Sequence, residues 1–301
     1  MSQWSREGAE PTTGRLLGER WRLGAPLGAG GMGALFLATH VNTGAEAVVK
    51  MMPPELASSL ALRERFRQEA VVTARIRSDH IVRVYDAGIA TDSGALFIVM
   101  ERLVGEDLAA LLAREGPPPK RRVLTLLGQL AHGLSRAHAQ RVVHRDLKPS
   151  NLFLTERDDG SDHLKVLDFG IAKIVSVSRA ETTLTAGSPR YMAPEQIQGS
   201  ADLGPAVDRY AMAHIAYEML VGEAYWQHQL DRDHHVYRLL EAIRAGAGPR
   251  ATELARTRRG VDLPPAFDGW FARATHVDPA ARPGDVFELV AEFGAALGLS
   301  R

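Results

Sequence analysis

Apolar positions are spaced differently in the two parts of this chain. Up to about residue 103 they come mainly in short runs broken by glycine and polar turns, the pattern of strands. Structure is expected to begin near Trp21-Arg22-Leu23, with strands over 34–38 and 45–51 joined by the turn Asn42-Thr43-Gly44. After the break at Pro53-Pro54, a helix is predicted over about 58–77, with Leu62, Phe66, Ala70, Thr73 and Ile76 along one stripe. Strands are predicted again at 81–85 and 96–100, either side of Asp92-Ser93-Gly94. Beyond that point helical stripes dominate. A short helix over 106–114 stops at Gly116 and three prolines. A long one over 120–140 turns Val123, Leu126, Leu127, Leu130, Leu134 and Ala137 inward. Later helices are predicted over 208–220, 237–245, 267–275 and 286–297. Residues 1–19 show no periodicity and read as a mobile tail.

Composition narrows the class little. The 301 residues suit one large domain or two smaller ones, and 45% hydrophobic with 24% charged is an ordinary globular balance. Lys+Arg and Asp+Glu are both 36, so no global basic field points to nucleic acid. Cysteine is absent, which excludes disulfides, thiolate metal sites and a cysteine nucleophile. No apolar leader and no membrane-spanning run is seen, so a cytoplasmic location is the expectation.

The chemistry lies in short polar motifs at the ends of apolar segments. Val143-His144-Arg145-Asp146-Leu147-Lys148-Pro149-Ser150-Asn151 sits between the apolar pieces at 142–143 and 152–154. There Asp146 can accept a hydroxyl proton, Lys148 can neutralise a phosphate, and Asn151 can offer a carbonyl oxygen to a hard cation. Earlier, Leu27-Gly28-Ala29-Gly30-Gly31-Met32-Gly33-Ala34-Leu35 fits G-x-G-x-x-G. A dinucleotide fold would open a helix at the last glycine, whereas here a strand follows. Lys50 ends the next strand, and Glu69 borders the apolar stripe of the predicted helix. Asp168-Phe169-Gly170 follows a hairpin 17 residues after Asn151, and Ala193-Pro194-Glu195 closes a loop holding Thr182, Thr183, Thr185 and Ser188. His132 and His138, and the cluster His228, His234, His235 beside Trp226, lack the spacing of a metal site. The latter stretch reads as a polar surface insert.

Taken in order, these motifs resemble those of protein kinases, and the chain is similar to bacterial eukaryotic-like serine/threonine protein kinases over about residues 20–298. The resemblance implies an α+β, bilobal fold, with a small lobe at 20–103 made of a five-stranded antiparallel sheet plus one helix. A larger, mainly helical lobe is implied at 104–298. It further implies ATP and Mg2+ (Mn2+ as a substitute), with Leu27, Gly28, Ala29, Gly30, Gly31, Met32, Gly33, Leu35, Val48, Lys50, Met100, Glu101 and Leu103 around the nucleotide. Val48 stands where the family has a smaller alanine, which implies a tighter purine pocket. Glu69 would pair with Lys50, Asn151 and Asp168 would hold the metal, and Phe169 would pack under the helix of the small lobe. Asp146 would be the base, with Lys148 offsetting phosphate charge. Asp208 would cap the catalytic loop from beneath, Arg282 would pair with Glu195, and Arg145 would receive a phosphothreonine from the 182–188 loop. Protein substrates bearing Ser or Thr, and self-association for trans-autophosphorylation, are the implied partners. The alternative is a kinase-fold scaffold that binds ATP without turnover.

Overall fold

A computed structural model describes residues 13–30, 33–52, 60–169, 189–200, 202–233, 235–246 and 248–299. These fall into two compact units. The first holds residues 13–77 and 82–104, the second residues 78–81, 105–169 and 189–299.

The first unit is built on a six-stranded antiparallel sheet of β1 (Leu16–Leu17), β2 (Trp21–Gly30), β3 (Gly33–His40), β4 (Glu46–Met51), β5 (Val84–Ile89) and β6 (Leu96–Glu101). The spatial order is β1-β2-β3-β4-β6-β5. One face of the sheet carries Leu23, Ala38, Ala47, Val49, Phe97 and Val99 into a single apolar core. That alternation is why 45–51 reads as strand in the sequence. Helix α1 (Leu60–Arg75) packs on β5 and β6, with Phe66, Ala70 and Thr73 buried as their stripe predicts, and Ile76 buried just past its end.

Two expectations change here. The predicted tail through residue 19 is not all tail, because Leu16–Leu17 adds a sixth strand and Leu17 is buried in the core. Two apolar residues are too few for periodicity to register. The strand predicted at 81–85 lies later, at Val84–Ile89. Its Gly88 is needed because a Cβ there would sit 2.9 Å from the Phe97 ring.

The second unit opens on a three-stranded antiparallel sheet of β7 (Glu106–Asp107), β8 (Leu152–Glu156) and β9 (Asp162–Val166). Asp107 then caps α2 (Leu108–Glu115) by accepting from the Ala110 N–H at 2.9 Å. Helix α3 (Lys120–Ala139) buries all six residues of its predicted stripe. There follow α4 (Pro194–Ile197), α5 (Ala206–Val221), α6 (Gln227–Asp233), α7 (Val236–Ala245), α8 (Ala251–Arg259), α9 (Ala266–Ala274) and α10 (Val286–Ala296). Helix α5 is buried almost all round, as its continuous apolar sequence requires. Tyr210, His214 and Tyr217 on α5 meet Tyr225, Trp226 and Phe271 in one aromatic cluster.

The stretch read as a surface insert is therefore corrected. Trp226 is 3% exposed and belongs to that cluster, and α6 follows directly. His228 uses Nδ1 against the Tyr225 carbonyl at 2.7 Å, His235 is exposed, and His234 lies outside the described residues.

Candidate active site

Strand pairing decides which side chains of the first unit share a face. Leu35 pairs with Lys50 and Leu37 with Val48, while Lys50 pairs with Ile98 and Val48 with Met100. Paired residues project to the same side and neighbours along a strand alternate. Leu35, Val48, Lys50 and Met100 thus line one face, opposite the apolar core. Lys50 is only 6% exposed, and an ammonium so buried is stable only among acceptors or anions. Val48 is half-buried at the centre of this face, where its two methyls take up space an alanine would leave.

The hairpin from β2 to β3 borders the same face. Leu27, Gly28 and Ala29 are exposed, and Gly28 pairs with Leu35. An added Cβ at Gly28 would meet nothing within 4 Å, so this glycine leaves open space. Gly33 is required for another reason. Its φ is +122° and a Cβ would fall 2.0 Å from the Met51 carbonyl oxygen, so the close approach of β4 demands glycine there. Gly30 ends β2, and Gly31 and Met32 lie outside the described residues. So do Gly170, the threonines at 182, 183 and 185, and Ser188. The Glu69 side chain is not described either, which leaves the expected Lys50–Glu69 pair untested.

At the end of β6, the Glu101 backbone N–H donates to the Arg83 carbonyl at 2.9 Å, and its carboxylate accepts from the Arg83 N–H at 2.7 Å. Its N–H is thereby committed to the sheet. Leu103 stands past the last sheet residue and is half-buried.

In the second unit the polar loop between α3 and β8 is tightly organised. Lys148 Nζ lies 2.9 Å from Asp146 Oδ2. Asn151 Nδ2 donates to the Asp146 carbonyl at 2.7 Å and to Asp146 Oδ2 at 3.2 Å. Two donors thus take Oδ2, and Oδ1 is the oxygen left for a hydroxyl. Both Asn151 bonds use its nitrogen, which leaves its side-chain oxygen for a cation. The turn Pro149–Asn151 sets this geometry, with the Asn151 N–H on the Lys148 carbonyl at 2.9 Å.

His144 ties the loop to the strand end before Asp168. Its Nδ1 accepts from the Asp146 N–H at 3.2 Å, so Nε2 carries the proton and donates to the Leu167 carbonyl at 2.7 Å. The Leu167 N–H in turn donates to the Asn151 carbonyl at 2.9 Å. Phe169 is buried with its ring edge-on to His144, centroids 4.8 Å apart. Asp168 has φ +58° and Arg145 φ +68°, left-handed conformations that cost a non-glycine residue about 1–3 kcal/mol. Asn151 and Asp168 offer hard oxygens on adjoining, hydrogen-bonded backbone, a donor set that suits a hard divalent cation.

Asp208, on α5, is what holds Arg145 in that conformation. Its carboxylate accepts the backbone N–H groups of His144 and Arg145, both at 2.9 Å, and lies 2.8 Å from His138 Nε2. Complete burial opposes its ionisation, but the His138 hydrogen bond and charge, with the backbone donors, outweigh this and carry the carboxyl below the usual range. His138 is thus a working residue that its sequence position did not reveal, since its partner is 70 residues away. Gln196 is another, donating to the Arg145 carbonyl at 2.8 Å. His132 is exposed on α3 and packs against Phe287. Among the described residues no group of three His, Cys, Asp or Glu side chains could hold a metal ion.

The expected pair of Arg282 and Glu195 is present and bidentate, at 2.7 and 2.8 Å. Arg282 also donates to the His276 and Ala206 carbonyls at 2.8 and 2.9 Å, and its guanidinium lies 5.0 Å from the Tyr210 ring centre. The Arg145 guanidinium donates to the Leu203 carbonyl at 3.2 Å.

Residues 21–290 match the family model described as the protein kinase domain. The chain is 35% identical over 287 residues to the serine/threonine-protein kinase pkn3 of Myxococcus xanthus, covering 94% of this chain and 51% of that protein. It is 36% identical over 217 residues to PknA of Mycobacterium tuberculosis, covering 71% of this chain and 49% of that protein. The chain thus spans about half the length of these curated relatives. Among solved structures it resembles the Mycobacterium tuberculosis PknI kinase domain (C20A_R136A double mutant), with a TM-score of 0.74 and 27% identity over 96% of this chain and 100% of that one.

Proposed function

Because the chain belongs to the protein kinase domain family, we propose that it transfers the γ-phosphoryl group of ATP to serine or threonine hydroxyls of protein substrates. The observation that carries this reading is the Asp146–Lys148–Asn151 constellation, closed by hydrogen bonds of 2.7 to 3.2 Å and anchored through Asp208. A loop that needed only to be polar would not require a buried carboxylate beneath it.

In the reaction, the substrate hydroxyl attacks the γ-phosphorus, the bond to the β-phosphate oxygen breaks, and the hydroxyl proton passes to Asp146 through its open Oδ1. Lys148, already at Asp146, offsets charge on the transferring group. The β3–β4–β6 face carrying Leu35, Val48 and Met100 would receive the adenine, the backbone at Glu101 and Leu103 would hydrogen-bond it, and Lys50 would meet the phosphates with Glu69 as its partner. Leu27 and the hairpin glycines would cover them. Asn151 and Asp168 would hold Mg2+, which when bound would supply neutralisation of phosphate charge. The two signalling partners expected from resemblance, protein substrates and a second copy for autophosphorylation, belong to the same proposal. So does a cytoplasmic site of action, consistent with the absence, among the described residues, of any helix long and apolar enough to cross a membrane.

The test is phosphosite mapping by mass spectrometry after incubation with Mg2+ and ATP, with Asp146→Asn alongside. Phosphate on Thr182, Thr183 or Thr185 in the unaltered chain only, or transfer to a generic protein substrate, supports the reading. In Asp146→Asn the transfer rate should fall by about 10²- to 10⁴-fold. Equal rates in the two proteins would remove Asp146 from its role, and ATP binding with no transfer to any protein would favour a scaffold.

A further inference from the structure

Asp146 projects from a peptide group that is held at both ends. The Asp146 N–H donates to His144 Nδ1 at 3.2 Å. The carbonyl across that peptide bond, which belongs to Arg145, accepts from Gln196 Nε2 at 2.8 Å. A planar peptide bonded through both its N–H and its oxygen is not free to turn. Arg145 itself has φ +68°, and its own N–H is held by Asp208 at 2.9 Å. The direction in which Asp146 leaves the chain is therefore set by His144, Asp208 and Gln196 together.

The two ends of the Gln196 amide have different tasks. Its Oε1 accepts from the Ala193 N–H at 3.0 Å, so its Nε2 is the end that faces Arg145. The first bond serves α4, because it satisfies an N–H at the start of that helix. A glutamate could do as much. The second bond does nothing for α4. It reaches 51 residues back along the chain, and it needs a donor where a glutamate has none. Helix α4 is a firm support for this reach. Glu195, beside Gln196, holds the buried Arg282 through bonds of 2.7 and 2.8 Å. The Ser200 N–H closes on the Glu195 carbonyl at 3.1 Å.

We propose that Gln196 is a positioning residue for phosphoryl transfer, tying α4 to the peptide group from which Asp146 projects and so holding the Asp146 carboxylate in line with the incoming hydroxyl. This role rests on the reading of Asp146 as the base. Gln196 itself touches no substrate. A misplacement of about 1 Å at a reacting group can cost on the order of 10²-fold in rate.

The test replaces one end of the amide at a time. Gln196→Glu keeps the size of the side chain and the bond from Ala193, and sets an acceptor against the Arg145 carbonyl. With Mg2+, ATP and a generic protein substrate, its kcat should fall by about 10- to 10²-fold while the KM for ATP stays unchanged. Gln198→Glu is the control. It adds the same charge on an exposed residue two positions further on and should leave kcat as it was. The pH profile identifies the bond. A carboxyl facing a carbonyl oxygen is favoured in its protonated form, which can donate. The deficit of Gln196→Glu relative to the unaltered chain should therefore shrink as pH is lowered, which a merely structural defect would not do. Hydrogen exchange over residues 144–148 supplies a readout without turnover. The Asp146 N–H should exchange faster in Gln196→Glu, and also in Gln196→Met, which is uncharged and of similar length. Unchanged exchange in both variants, a kcat equal to that of the unaltered chain, or a deficit that does not shrink on acidification would overturn the proposal and leave the role of Asp146 standing. Faster exchange in a chain whose unaltered form transfers phosphate to no protein would overturn the reading of Asp146 as the base, and this role of Gln196 with it.

Discussion

Asp208 shows how much one side chain can hold. It is fully buried, yet three donors converge on it and two of them are the peptide N–H groups of His144 and Arg145. Replacing it with alanine leaves those donors in a dry interior, and loss of one partner of a buried charged network typically costs about 3–5 kcal/mol. Asp208→Ala should lower the urea midpoint accordingly, and Arg145 should leave its left-handed conformation with loss of transfer activity. The pH dependence has a definite sign. The carboxyl is held below its usual value in the folded chain, so its stabilisation is complete above the ordinary carboxylate range and is lost as pH falls through the lowered folded value. His138→Ala removes the chief interaction lowering that value. Acid unfolding followed by circular dichroism should therefore begin at higher pH in His138→Ala, and an unchanged acid midpoint would show that the backbone donors suffice.

At the scale of elements, helix α5 carries a second titrating group. His214 is 1% exposed inside the aromatic cluster, and neither ring nitrogen has a partner. Burial, with Arg282 adding to it, pushes its pKa down to about 3. An unfolded histidine binds its proton near pH 6.5, so between that value and about 3 the unfolded state holds the extra proton. Stability from this residue is intact above pH 6.5 and declines as pH falls, by about 1.4 kcal/mol per unit well below it. His214→Leu, of similar volume and without nitrogens, should flatten the slope of stability between pH 6 and 4 and raise stability at pH 5 by about 2 kcal/mol. Equal slopes in chemical denaturation of both proteins would mean that His214 finds a partner inside the fold.

The same helix shows what was legible in the sequence. Its apolar run announced a buried element, and α3 and β4 were equally plain, because long periodic stretches average over local accidents. The candidate site loop at 144–151 was legible for a different reason. Its chemistry is local, with Asp146, Lys148 and Asn151 bonded to one another within five residues, so spacing alone displays it. What escaped was short or non-local. Leu16–Leu17 is two residues long. Helix α8 is mostly polar and buries only Ala251, Leu254 and Ala255, too few to draw a stripe. Trp226 looked like part of a polar insert because the ring it meets on α5, His214, belongs to a separate helix. His138 depended on a carboxylate in another helix.

For the whole molecule, ligand-linked stability offers a measure that does not rely on turnover. A ligand that binds only the folded chain adds about 2.7 kcal/mol at a hundred times its Kd. ATP with Mg2+ should therefore raise the thermal midpoint by several degrees, about 2–4 °C per kcal/mol for a chain of this size. Chelation with EDTA should remove most of that rise if the cation is shared between phosphate oxygens and the hard donors of Asn151 and Asp168. Asp168→Ala should lower the Mg2+-dependent part while leaving the small shift produced by adenosine alone, because in the proposed site adenosine would meet only the Val48 and Met100 face. Asp146→Asn should keep both shifts and lose transfer. Those two variants separate binding from chemistry. A chain in which Asp168→Ala still gains its full shift from Mg2+ and ATP would have its cation elsewhere, and the roles assigned to Asn151 and Asp168 would fall together.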